Sequence, residues 1–173
     1  MDALAGPRLQ LRPLAAGDAG LYTRLYADPD TMRHVLPPAA ADQARRAFDT
    51  ALERAARPWP TPRVWVLVQP PEAGGLGLVG LDPDGRGGAE VGAMIPPAHQ
   101  GRGYATEAIA LLAGHAFTEL GLDALHTRHA DGHGLAEGLM RRLGFEPAPR
   151  QATPHPIRWR LSRARWEALQ GDK

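Results

Sequence analysis

The chain has 173 residues, an apolar share of 43%, a net charge of +1 and no cysteine. That length and apolar share suit one domain with a real core over 1–173, while the missing cysteines exclude disulfides, thiolate metal sites and a cysteine nucleophile. Basic residues are scattered rather than striped, which argues against a nucleic-acid groove. The chain opens without a signal-like segment and no apolar run approaches the ~20 residues of a membrane span, so a cytoplasmic protein with no membrane partner is expected.

In chain order, Arg8 to Arg12 alternates Leu9 and Leu11 with polar neighbours, a short half-buried strand closed by Pro13. From Asp18 the pattern turns helical, with Leu21, Tyr22, Leu25 and Tyr26 toward the inner side, until Asp28-Pro29 ends it. Thr31 to Pro38 reads as a loop or short turn. A second helix over Ala40 to Ala56 sets Ala44, Ala47, Phe48 and Leu52 inward and Arg45, Arg46, Glu53 and Arg54 outward. Three strands follow as a meander. Arg63 to Gln69 is apolar on both faces, Leu76 to Leu81 comes next, and the turn residues Asp82-Pro83-Asp84-Gly85 lead into Ala89 to Ile95. Beyond a long helix, Gly121 is a C-cap and Ala124 to His129 a strand. A short helix carries Leu135, Leu139 and Leu143 and stops at Gly144; Ile157 to Leu161 is the last strand, ahead of a basic tail around Trp166.

The stretch Val91 to Leu120 concentrates the chemistry. Pro96 and Pro97 lack the N–H that a sheet ladder needs, so the strand before them must halt. His99 to Ala105 then holds two glycines and opens directly into a helix, where free N–H groups and the positive end of the dipole suit an anion. In that helix Ala105, Ile109, Leu112, Ala116 and Leu120 face inward, and Glu107 and Glu119 are expected in water. No Gly-x-x-x-x-Gly-Lys-Ser/Thr is present, which removes the P-loop. Asp123 lies about 20 residues past Gly103, but it precedes the next strand instead of ending it, which removes the dinucleotide fingerprint.

Gln100-Gly101-Arg102-Gly103-Tyr104-Ala105 matches the Gln/Arg-x-x-Gly-x-Gly/Ala turn of the GNAT superfamily of acyl-CoA-dependent N-acyltransferases, and the order of elements resembles that family along nearly the whole chain. Within it, the segments Arg8 to Leu14, Asp28 to Arg33, Glu90 to Gly92, Gly103 to Ala108 and Leu143 to Phe145 resemble the RimJ/RimL-like group. The resemblance implies an α/β fold with a mixed, mostly antiparallel sheet splayed after the fourth strand and flanked by helices. It implies acetyl-CoA as cofactor, its diphosphate on the N–H groups of Gly101, Arg102, Gly103, Tyr104, Ala105 and Thr106, with Gln100 in the same motif and the pantetheine arm beside Ala93, Met94 and Ile95. A bulge at Gly92 would turn one N–H toward the thioester oxygen. Glu90 is the implied general base toward an amine acceptor, small molecule or peptide, and His133 a residue for proton transfer or cofactor contact. Relatives often form homodimers.

The chain departs from the family at the Asn-x-x-Ser preceding the short helix, where His133 and Ala136 stand and no hydroxyl remains as proton donor; Tyr22, Tyr26 and Tyr104 all lie upstream. Deprotonating an α-amine of pKa ~8 at pH 7 costs about 1.4 kcal/mol against about 4.6 kcal/mol for a lysine amine, which favours an α-amine such as a protein or peptide N-terminus; an amino sugar or small amine also fits the fold. The competing readings are a non-catalytic acyl-CoA sensor or interaction domain, prompted by Ala136, and a nucleotide-binding module without CoA preference. His126, His129 and His133 suggest a metal cluster, but a spacing of three puts the first two on opposite strand faces, so surface histidines and no metal site are expected. Trp65 is a candidate lining of the acceptor pocket.

Overall fold

The structure, a computed structural model, describes residues 2–72, 74–130, 132–149 and 156–171. A short strand β1 (Leu4–Ala5) precedes β2 (Gln10–Pro13), and the helices α1 (Ala19–Ala27), α2 (Pro29–Met32) and α3 (Ala41–Ala55) follow. The meander is β3 (Arg63–Val68), β4 (Gly75–Pro83) and β5 (Gly88–Met94). After α4 (Tyr104–Thr118) come β6 (Ala124–His129), α5 (Gly134–Arg142), β7 (Glu146–Pro147), β8 (Ile157–Ser162) and α6 (Arg163–Gly171). The strands form one sheet ordered β1-β2-β3-β4-β5-β6-β8-β7. Its pairings are antiparallel except β5 with β6, the pair that α4 connects, as a crossover helix requires.

Both sheet faces are covered at the centre. Trp65, Leu67, Val79 and Val91 pack beneath α4 with Ile109, Leu112 and Phe117, and Val66, Val68 and Leu78 pack against Tyr22, Leu25 and Phe48 of α1 and α3. Each such side chain contributes roughly 1.5–3 kcal/mol by leaving water. The unbroken apolar run of β3 is what a strand buried on both sides needs.

Several expectations change. Trp65 is fully buried on the α4 side and donates its indole N–H to the Asp2 carbonyl at 3.4 Å, so it packs the core. Leu135 is 76% exposed, whereas Leu139 and Leu143 of the same stripe pack against the core beside the buried Met140. The loop at Thr31 is instead part of α2, capped by the Asp28 carboxylate, which accepts from the N–H of Asp30 and Thr31. The basic tail is helix α6, which sets the Trp166 ring 5.3 Å from that of Phe117.

The largest change concerns Glu107. Its carboxylate is turned inward, 11% exposed, and accepts from the N–H groups of Arg8 and Leu9, both at 2.8 Å, and from the Arg8 Nε at 2.9 Å. Burial alone pushes this carboxyl up, yet those three bonds and the Arg8 charge outweigh it and hold the group below the usual range. Glu107→Ala leaves two main-chain donors without their acceptor and is expected to cost about 2–3 kcal/mol, whereas Glu107→Gln, which keeps a carbonyl oxygen for them, should cost about 1 kcal/mol. Urea midpoints at an unchanged denaturant slope measure both.

Candidate functional site

The start of α4 is built to leave amides unused. Gly101 and Gly103 take φ of 73° and 79°, left-handed values that strain any side chain with a Cβ. Gly103 is the N-cap and supplies no side-chain acceptor to the first turn. The first main-chain bond of the helix runs from Glu107 N–H to the Gly103 carbonyl at 3.1 Å, and among the described residues the N–H groups of Gly101 to Thr106 have no protein acceptor. Arg8 reinforces the turn: its guanidinium donates to the Arg102 carbonyl at 2.9 Å and lies 5.5 Å from the centre of the Tyr104 ring. Tyr104 is buried and donates its hydroxyl to Gln69 Oε1 at 2.7 Å, and the Gln100 side-chain amide donates to the Ile95 carbonyl at 2.8 Å, tying the turn to the end of β5. Arg102 stands exposed at the rim.

Beside this turn the sheet divides. β5 and β6 pair at Gly88–Ala124, Ala89–Leu125 and Glu90–His126 and no further. Beyond Glu90, Ala93 and Met94 remain paired only with Val79 and Leu78 of β4, and Arg128 and His129 only with Arg158 and Ile157 of β8. The result is a wedge with an unpaired strand edge on each side, closed at its wide end by the amide-rich turn.

The β4–β5 ladder is regular through Gly92, which sits opposite Gly80, and the register shift in the neighbouring ladder falls at Leu67 and Val68. The expected bulge at Gly92 is therefore absent. The physical role of Gly92 is clearance: a Cβ there would meet nothing within 4 Å, and together with Gly80 it leaves a bare floor beneath a cavity of about 500 Å³. That cavity lies between the sheet and helices α1 and α3, with Tyr22, Tyr26, Leu78 and Met94 among its apolar walls and Asp82, Glu90, Arg54 and Arg128 among its charged ones. Glu90 pairs with Arg128 across the start of the wedge at 3.1 Å, both side chains about half exposed. Sequence order hid three contributors. Tyr22 and Tyr26, far upstream, stack at 4.5 Å beside the cavity, and Arg54, exposed on the outward face, borders it.

His133 is the residue before α5, its ring stacked on His34 at 4.2 Å and edge-on to His129 at 6.1 Å. His129 is not a surface histidine: it is buried, accepts the Trp159 indole N–H at its Nε2 (2.9 Å) and so carries its proton on Nδ1, which donates to the Ala130 carbonyl at 2.8 Å. The adjacent face of the strand explains the miss, since Trp159 of β8 covers it. His126 does face the other way, 3.7 Å from Asp84. Among the described residues no group of three or more His, Cys, Asp or Glu is arranged to hold a metal ion.

A sheet split at its one parallel pairing, with a helix of free N-terminal amides at the mouth of the split, defines the acyltransferase class of α/β folds. The description of the acetyltransferase (GNAT) domain matches residues 8–146, and the chain belongs to that family of N-acetyltransferases. An N-acetyltransferase of Bacillus licheniformis, p20, is 27% identical over 154 residues, 84% of this chain and 83% of its own. The acetyltransferase of Agrobacterium tumefaciens superposes with a TM-score of 0.80 at 24% identity, covering 93% of this chain and 94% of its own. The spermidine N-acetyltransferase of Vibrio cholerae, solved with CoA and spermine, has a TM-score of 0.81 at 21% identity, covering 94% and 99%. Among the described residues no helix is long and apolar enough to cross a membrane.

Burial, with the neighbouring His34 ring acting in the same sense, lowers the proton affinity of His133 below the ordinary imidazole value. The unfolded chain then binds a proton that the folded chain refuses, so stability is full above pH ~6.5 and falls as pH drops below it. His133→Asn should flatten the dependence of the melting temperature between pH 6.5 and 5; His115, lowered likewise by burial, leaves a residual slope.

Proposed function

We propose that the chain transfers an acetyl group from acetyl-CoA to a primary amine in the manner of the RimJ/RimL-like group, with the wedge and the turn as cofactor site and the neighbouring cavity as acceptor site. The single observation carrying this reading is the set of main-chain N–H groups from Gly101 to Thr106 that have no protein acceptor, set at a helix N-terminus beside an unpaired strand edge. They match a diphosphate in charge and in hydrogen-bonding sense. The cofactor supplies the acetyl group as a thioester, and Ala93 to Ile95 offer the edge along which an extended arm lies.

This chain's own contribution is to position the amine and free it of its proton. Glu90 stands where the wedge begins and borders the cavity, so its carboxylate accepts the ammonium proton, directly or through a water, and Arg128 holds that carboxylate in place. His133, with its partners His34 and His129, serves the cofactor side as an ordinary packing contact. Ala136 leaves that end without a hydroxyl, the observation that favours the alternative of an acyl-CoA-binding domain without turnover.

Two measurements test the proposal. Coenzyme A at 100 times its Kd should stabilise the protein by about 2.7 kcal/mol, a rise of roughly 5–10 °C in melting temperature; equal protection by ATP or NAD would make the site a general nucleotide cradle. In a thiol-release assay Glu90→Gln should lower kcat about 10²- to 10⁴-fold and remove the acid limb of the pH profile. An unchanged rate and profile would show that Glu90 is not the base.

A further inference from the structure

The sheet wall of the cavity carries charge of both signs, Asp82, Glu90, Arg63 and Arg128, and the helical wall carries Arg54. On the sheet, Asp82 and Glu90 stand directly opposite one another on neighbouring strands, and Glu90 is already engaged by Arg128. On the helical side, Ala47, Thr50, Ala51 and Arg54 of α3 line the cavity, a spacing of three and four residues that forms one stripe. Arg54 differs from its neighbours on the same helix. Arg45 is closed by Asp49 at 3.0 Å and Arg46 by Asp42 at 2.9 Å, whereas the Arg54 guanidinium has no carboxylate partner among the described residues, and its charge reaches the Tyr22 hydroxyl. Beside these charges the cavity has apolar walls, Val64, Leu78, Met94 and the stacked Tyr22–Tyr26 pair, while Arg128 is taken up by Glu90 and Arg63 lies 5.6 Å from the centre of the Trp59 ring.

We propose that the acceptor is a free amino acid or close relative with an apolar body, its amine directed to Glu90 and its carboxylate held by Arg54. The proposal rests on the acetyl-transfer reading above and adds the substrate class. A planar guanidinium offers two parallel N–H donors that match a carboxylate. A cavity of about 500 Å³ lies within the range of small-molecule sites. The wall placement also selects against a polyamine, whose second ammonium would meet Arg54. Arg54 is a specificity residue in this scheme and takes no part in proton transfer.

The test compares leucine and methionine with their primary amides, with a leucine-initiated tripeptide and with spermidine, using the full chain and acetyl-CoA. The amides have the less basic amines, so intrinsic reactivity favours them and a preference for the free acids comes from the pocket. The free acids are expected to exceed the amides in kcat/KM by 10-fold or more. Arg54→Ala should raise KM for the acids about 10- to 100-fold, bring the acid-to-amide ratio of kcat/KM down toward one, and be partly rescued by Arg54→Lys. Preference for the amides, the tripeptide or spermidine in the parent protein, or an unchanged acid-to-amide ratio in Arg54→Ala, would overturn the proposal while leaving acetyl transfer standing. Should no amine release thiol, the acetyl-transfer reading fails, and calorimetric titration of leucine against leucinamide still decides the pocket: binding that needs both the carboxylate and Arg54 supports the assignment, and equal binding removes it.

Discussion

The carboxylate of Glu107 joins three parts of the chain that are distant in sequence. It accepts from the main chain at Arg8 and Leu9 and from the Arg8 guanidinium, which continues to the Arg102 carbonyl. Glu107 lies in the first turn of α4, where the helix dipole favours a negative charge, so it costs the helix nothing to present it there. The consequence is directional. With the carbonyl of Arg102 drawn toward Arg8 and the acid facing the N-terminal segment, the amides of the turn are left without a protein acceptor among the described residues. A first-turn acid of this kind would ordinarily compete for those same amides, and here that competition is absorbed by the backbone between β1 and β2.

The wedge follows from a second constraint, the geometry of the one parallel pairing among the described residues. A crossover through α4 brings β6 alongside β5 for three residue pairs, and β6 is then held by six pairs to β8 while β5 is held by six to β4. Each strand follows its more extensively paired neighbour, and accumulated sheet twist carries them apart. Pro96 and Pro97 prevent β5 from continuing, and the Gln100 amide satisfies the Ile95 carbonyl at its end. The cleft is thus a product of ladder lengths and two prolines rather than of any loop that must move.

How far these features could be read from residues alone depended on whether their partners were near in sequence. The strand Ala124 to His129 and the amide-bearing turn were recoverable because alternation, glycine and proline act locally. Arg54 stays exposed where helical periodicity places it, at the border of the cavity. Glu107, placed on a solvated face in the same way, turns inward because another element brings a partner to it, Arg8. The same applies to His129, whose buried ring is engaged by Trp159, 30 residues away. Helix α6 escaped notice because Trp166 and Leu169 alone give too weak a period, its packing being supplied by Phe117 and Gly144.

The cavity also bears on the missing proton donor. Folding places Tyr22 and Tyr26 beside it, so a phenol is at hand although none follows α4 in the sequence. Tyr22, however, is driven far above the ordinary phenol range by burial and by Tyr26, with Arg54 only partly offsetting them. A phenol so reluctant to ionise is a weak acid, and it is fixed by stacking on Tyr26 and by edge contact with Phe48 at 5.6 Å. Its contribution is shape and an apolar wall. A thiol of ordinary pKa ~8.5 needs little help to leave near neutral pH, which shifts the chemical burden from protonating the leaving group to deprotonating the amine. On the proposed reading that demand falls on Glu90, which stands opposite Asp82 in the cavity, and alanine at position 136 is compatible with turnover.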